Sequence, residues 1–246
     1  MRITMKDNKI QQILILGVVL LALLVAAKFL FIPATIDART INAEGTAQMT
    51  AQPDEAQIYV RIHVLEQTAE LAASKSKEAA NNVVNALKKI EGVQVETTNY
   101  NIYKREDWTE NGQEFKGYEA TYTIKATTQN LDRVGEIIDT AVDSGANGID
   151  SVQFTLSKEK EEELRAQAIK KAAQTAKMKA QATAEGLGVK LGKIIAVNEG
   201  GFYAQPYFYD RAESLIAEAK AQSAPLVIEP GSIHVSASVS VTYEIK

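Results

Sequence analysis

QIYVRIHVLEQTAELAASKSKEAANNVVNALKKIEG, residues 57–92, carries two periodicities in succession. First Ile58, Val60, Ile62 and Val64 alternate with Tyr59, Arg61, His63 and Leu65, the period of two of a strand with one buried face. Thr68 then supplies an N-cap with Glu70 close behind it. Leu71, Ala72, Ala79, Val83, Ala86, Leu87 and Ile90 follow the helical period until Gly92 ends it. Downstream, Val93 to Lys104 and Phe115 to Thr127 read as a long hairpin whose tip, Asp107 to Gly112, carries the turn pair Asn111-Gly112. Asn130 caps a second helix along Leu131, Val134, Ile137, Ile138, Ala141 and Val142. Ser144 to Gly148 stops that helix, and Val152 to Ser157 is a further strand. Strand, helix, strand, strand, helix, strand predicts an α+β fold: an antiparallel sheet with a ferredoxin-like split βαβ core and both helices on one face.

Beyond this core, Lys158 to Gly186 gives the longest helical pattern, with Ala168, Ala172, Ala176, Ala180 and Ala184 in a thin stripe that permits close approach to a sheet or helix. Glu159, Glu161, Glu162 and Glu163 crowd its start, where they suit the helix dipole. A continuous helix spreads such carboxylates around a cylinder, which disfavours a calcium site. Gly186 to Gly192 closes the helix, and Lys193 to Asn198 is a strand. Gly200 to Arg211 reads as a loop, Ala212 to Ala221 as weakly helical and Pro225 to Gly231 as a turn. The last strand alternates Ile233, Val235, Ala237, Val239, Val241, Tyr243 and Ile245 with the hydroxyl row Ser236, Ser238, Ser240 and Thr242. Upstream, Thr40 to Ala51 is strand-like and Gln52 to Glu55 a turn.

The amino-terminal region has a different character. Residues 13–32, ILILGVVLLALLVAAKFLFI, hold one charge, Lys28, and at 1.5 Å per residue span roughly the 30 Å hydrocarbon core of a bilayer. With Arg2, Lys6 and Lys9 ahead of it, the positive-inside rule orients this partner of the lipid bilayer with its amino terminus cytoplasmic. The expected organisation is a cytoplasmic start at 1–9, a transmembrane signal anchor at 10–32, a linker at 33–39 and an extracytoplasmic domain at 40–246. A cleaved signal peptide ending near Val25-Ala26-Ala27, with a secreted or periplasmic product, is the alternative.

Composition narrows the classes of function. A net charge of −4 offers no basic field for nucleic acid, and the absence of cysteine removes disulfides and thiolate metal sites. Gly-x-Ser-x-Gly and Walker patterns are missing, and Gly186-x-Gly188 ends a helix where phosphate binding needs glycines opening one. His63 and His234 both sit on outward rows without ligand-spaced partners; only pairing of their strands would reopen a metal site. No catalytic residue, cofactor or metal set is therefore expected. Five aromatics within twelve residues, Phe202, Tyr203, Tyr207, Phe208 and Tyr209, mark the best candidate partner or oligomer surface, against the alternative of plain packing onto the core. Trp108 at the hairpin tip is a second candidate anchor.

An ordered set of landmarks resembles the SIMPL domain family of YggE-like proteins over Thr40 to Lys246. These are Glu44-Gly45-Thr46, Pro53-Asp54, Thr97 and Tyr100, Gly117-Tyr118, Leu131 with Ile138 and Asp139, Gly145-Ala146, and Phe154 with Leu156. Later come Lys179-Ala180, Leu187 to Gly192 and Glu229-Pro230-Gly231. The resemblance implies an exported or envelope-associated α/β protein, inclined to homo-oligomerise, linked to stress resistance and without an established catalytic site. The expected function is thus a membrane-anchored, non-enzymatic homo-oligomeric envelope module. The alternative is a ligand-binding or transport-accessory protein using residues 200–211, its small-molecule ligand unknown.

Overall fold

The computed structural model describes residues 39–110, 112–209 and 230–246, and Gly17 by itself. Apart from Gly17 the expected cytoplasmic start and membrane segment lie outside the described residues, as do residues 33–38 of the expected linker and the expected weak helix at 212–221. Among the described residues no helix is long and apolar enough to cross a membrane.

The chain runs through β1 (Thr40–Ala51), β2 (Glu55–Glu66), α1 (Ala69–Leu87), β3 (Val93–Thr109), β4 (Gly112–Thr128) and α2 (Val134–Asp143), the last entered through the 3-10 turn Leu131–Arg133. It continues with β5 (Gly148–Thr155), α3 (Lys158–Gly186), β6 (Leu191–Gln205), β7 (Tyr207–Phe208) and β8 (Ile233–Ile245). The caps are those the sequence marks: the Thr68 hydroxyl accepts from Leu71 N at 3.3 Å, and the Asn130 side chain accepts from Asp132 N at 3.2 Å.

The α+β class with antiparallel strands holds, but the strands form two sheets instead of the single one expected. The first has the order β3-β4-β2-β5-β7 and the second the order β1-β8-β6. Residue size explains the division. Ile58, Val60 and Ile62 of β2 are large, and with Val83, Leu87, Ile137 and Ile138 of α1 and α2 they make the main core. The inward row of β1 instead has, between Ile41 and Met49, the small residues Ala43, Gly45 and Ala47, which admit only a helix as slender as the alanine stripe of α3. Ala168, Ala172, Ala176, Ala180 and Ala184 are all buried there. At Gly45 a Cβ would lie 2.0 Å from Ala172 O and 2.3 Å from Ala176 N.

Two of the chain crossings between the sheets, at the β1–β2 turn and the β5–α3 junction, meet at one joint. Asp54 accepts from Ser157 N and from the Ser157 hydroxyl, each at 2.6 Å, while Ser157 Oγ accepts from Lys160 N at 3.3 Å and so caps α3. At the far end of the second sheet the two ends of the body are tied together. Ile245 N donates to Arg39 O at 2.9 Å, and Lys190 and Lys246 exchange two backbone bonds of 2.9 Å.

Candidate functional site

Strand geometry governs what happens to the aromatic segment. Residues 200–205 are not loop but the second half of β6, and Tyr207–Phe208 form β7 on the edge of β5. Gly200-Gly201 suggested a break, yet β6 absorbs it as a register shift between Glu199 and Phe202. Alternation then sends neighbouring rings to opposite faces. Phe202 lies opposite Ala237 on the α3 side, with the Arg165 guanidinium 4.4 Å above its ring. Tyr203 lies opposite Ser236 on the outer side and is 61% exposed. Tyr207 packs on Phe154 at 6.2 Å between ring centroids, and Tyr209 leans on the main core. Phe208 remains half exposed. Trp108 stands apart, 81% exposed near the end of the β3–β4 hairpin, which continues past the last β2–β4 pair, Glu66 with Tyr118. The six residues are thus spread over five separate settings.

The outer face of the larger sheet carries a polar centre. Glu119, buried on β4, accepts at Oε1 from the Tyr103 hydroxyl and from His63 Nε2, the latter at 3.0 Å, and at Oε2 from Arg105 at 3.3 Å. Burial alone would raise its carboxyl, but these partners outweigh that and hold it below the ordinary carboxylate range; the same hydrogen bond raises the Tyr103 phenol. Asn147 fixes the backbone beside it, accepting from His63 N at 2.8 Å and donating to His63 O at 2.7 Å. Arg61, His63, Glu119 and Asn147 line an open cleft of about 320 Å³. Both oxygens of Glu119 are occupied, so the centre serves as a tie across β2, β4 and β3 at the point where the hairpin leaves the sheet. His234 belongs to the other sheet, so the two histidines do not meet, and among the described residues no three His, Asp or Glu side chains converge to hold a metal. The polar centre was readable in one respect: His63 and Glu119 both fall on outward rows of adjacent amphipathic strands.

The third feature is β6 itself. Among the described residues no strand lies outside it, and Ile194, Ile195 and Val197 are 59%, 51% and 61% exposed. Ile194 and Val197 pair with Tyr243 and Val241, which places them on the α3 side of the sheet, beyond the helix's cover.

The SIMPL family, described as a protein of unknown function (DUF541), matches residues 41–243. The chain belongs to the SIMPL family. It is 27% identical over 208 residues to the uncharacterized protein YggE of Edwardsiella ictaluri, covering 83% of this chain and 86% of that one. To the 26 kDa periplasmic immunogenic protein of Brucella melitensis it is 29% identical over 215 residues, 84% of each. To YggE of Escherichia coli K12 it is 26% identical over 212 residues, 85% of each. Two SIMPL landmarks now have physical roles: Gly45 admits α3, and Asp54 makes the joint between the sheets.

Proposed function

We propose that this SIMPL protein is a non-enzymatic envelope module that works outside the cytoplasm and assembles with copies of itself. The observation that carries the reading is the edge of β6, which is open among the described residues. A strand of 15 residues with three exposed aliphatic side chains is a template for another chain, and natural sheets ordinarily shield such edges with charge, bulges or cover. The register shifts of β6 blunt it only in part. An extracytoplasmic place is supported by the periplasmic designation of the Brucella relative and by the apolar stretch at 13–32. The non-enzymatic part is supported by the use of every Glu119 oxygen in bracing the hairpin. The finer architecture belongs to the same proposal: the neighbour order β3-β4-β2-β5 supports a ferredoxin-like split βαβ unit for the larger sheet.

Sedimentation of the full chain in detergent tests the assembly. The wild-type protein is expected to run as a multimer, and the pair Ile195→Lys and Val197→Lys as a single chain with an unchanged melting temperature. A wild-type protein that stays monomeric at high concentration would reject the reading.

A further inference from the structure

The outer face of the three-stranded sheet, the side away from α3, is unusual in its chemistry. Across β1, β8 and β6 its side chains stand in register: Thr50, His234 and Gln205 form one rung, and Gln48, Ser236 and Tyr203 the next. The ladder continues through Ser238 and Ser240 to Thr242, over about 27 Å from Thr50 to Asn42 at the usual strand rise. The β1 members are exposed and those of β8 half exposed, with His234 exposed.

In a chain with 24% charged residues, the rungs from Thr50 to Asn42 have Glu44 as their single carboxylate and no lysine or arginine, and Glu244 enters only at the next rung, opposite Thr40. A merely solvated face is ordinarily built from mixed charges. Serine is also a poor choice for a central strand, where threonine or valine would serve the backbone better, yet β8 uses Ser236, Ser238 and Ser240. At one end the ladder dips into a cavity of about 210 Å³, walled by Gln48, Tyr203, Gln205, His234 and Ser236.

We infer that this face binds a neutral oligosaccharide chain, with Tyr203 as the platform for one sugar ring and the hydroxyl and amide rungs as partners for the next ones. Hydroxyls and amides both donate and accept, which matches a polyol in any rotation of its hydroxyls. The Tyr203 ring presents an apolar body with a polar tip, suited to the C–H face of a sugar. A polyanion gains nothing without a cation and is repelled by Glu44. A protein partner would want an apolar centre, and Tyr203 alone supplies that here. The inference is independent of the β6 edge and of whether the chain assembles.

The test uses the full-length protein in a detergent without sugar headgroups, titrated calorimetrically with cellohexaose, with chitohexaose and with a heparin hexasaccharide. Either or both neutral hexasaccharides are expected to bind with a dissociation constant on the order of 0.1–1 mM. Tyr203→Ala is expected to weaken that binding at least tenfold, Ser238→Lys to abolish it, and heparin to give no heat. Circular dichroism establishes that both variants are folded; Gln48→Ala, expected to weaken binding severalfold, replaces any variant that is not. Absence of heat from both neutral sugars at about 5 mM, or binding that Tyr203→Ala leaves unchanged, overturns the inference. So does a change in sedimentation of Tyr203→Ala without a change in sugar binding, which would assign the face to a second copy.

Discussion

Gly45 shows how much one missing carbon can decide. Its Cβ would sit inside the backbone of α3, against atoms that cannot rotate away. Gly45→Ala is therefore expected to lower stability by about 3 kcal/mol or more, at the upper end for overpacking, as measured by denaturant unfolding. Glu119 gives the residue-scale prediction for pH. Its folded carboxyl lies below the ordinary range, so the native state binds that proton less readily than the unfolded chain does. The contribution is full above the unfolded value, near pH 4.3, and is lost as pH falls through the lower folded value. Glu119→Gln should cost on the order of 1–2 kcal/mol at pH 7, and the gap to wild type should close on acidification toward pH 3. A gap that widened in acid would contradict the assigned direction.

At the scale of elements, α3 and β6 show where sequence is legible and where it is not. The helix runs from Lys158 to Gly186 as read from residue pattern alone, because the acidic first turn and the glycine-rich exit are local signals; the Ser157 cap is seen only in the structure. Its stripe is equally local: Ala172→Leu should destabilise by about 1–3 kcal/mol, whereas Met178→Ala on the 61% exposed side should stay within about 0.5 kcal/mol in the same unfolding assay. β6 misled because Gly200-Gly201 followed by aromatics carries turn chemistry, and only pairing with β8 makes it strand. The aromatics were visible, but their division between two faces depends on that pairing. The Glu119 tie escaped because its four side chains come from three strands whose adjacency no local pattern announces.

Over the whole molecule, the two sheets have separate cores and share the Asp54–Ser157 joint. That separation accords with side-chain size, large along β2 and small at the centre of β1, a signal that the period of two alone does not carry. Asp54→Ala removes two short hydrogen bonds and the support of the α3 cap. Hydrogen exchange is expected to rise at the β1–β2 turn and the first turn of α3, with the centre of β2 unchanged. Equal acceleration everywhere would show one cooperative unit instead.

The bonds joining Arg39 to Ile245 and Lys190 to Lys246 leave the start of β1 beside the end of β8. A short flexible bridge could therefore close the body into a ring of chain, and new ends could be cut at the far tip of the hairpin near Thr109, where no third strand is disturbed. Such a permuted protein would keep every pairing of both sheets while relocating its leading end to the Trp108 tip, allowing an attached label or tether to be placed at either pole of the same fold.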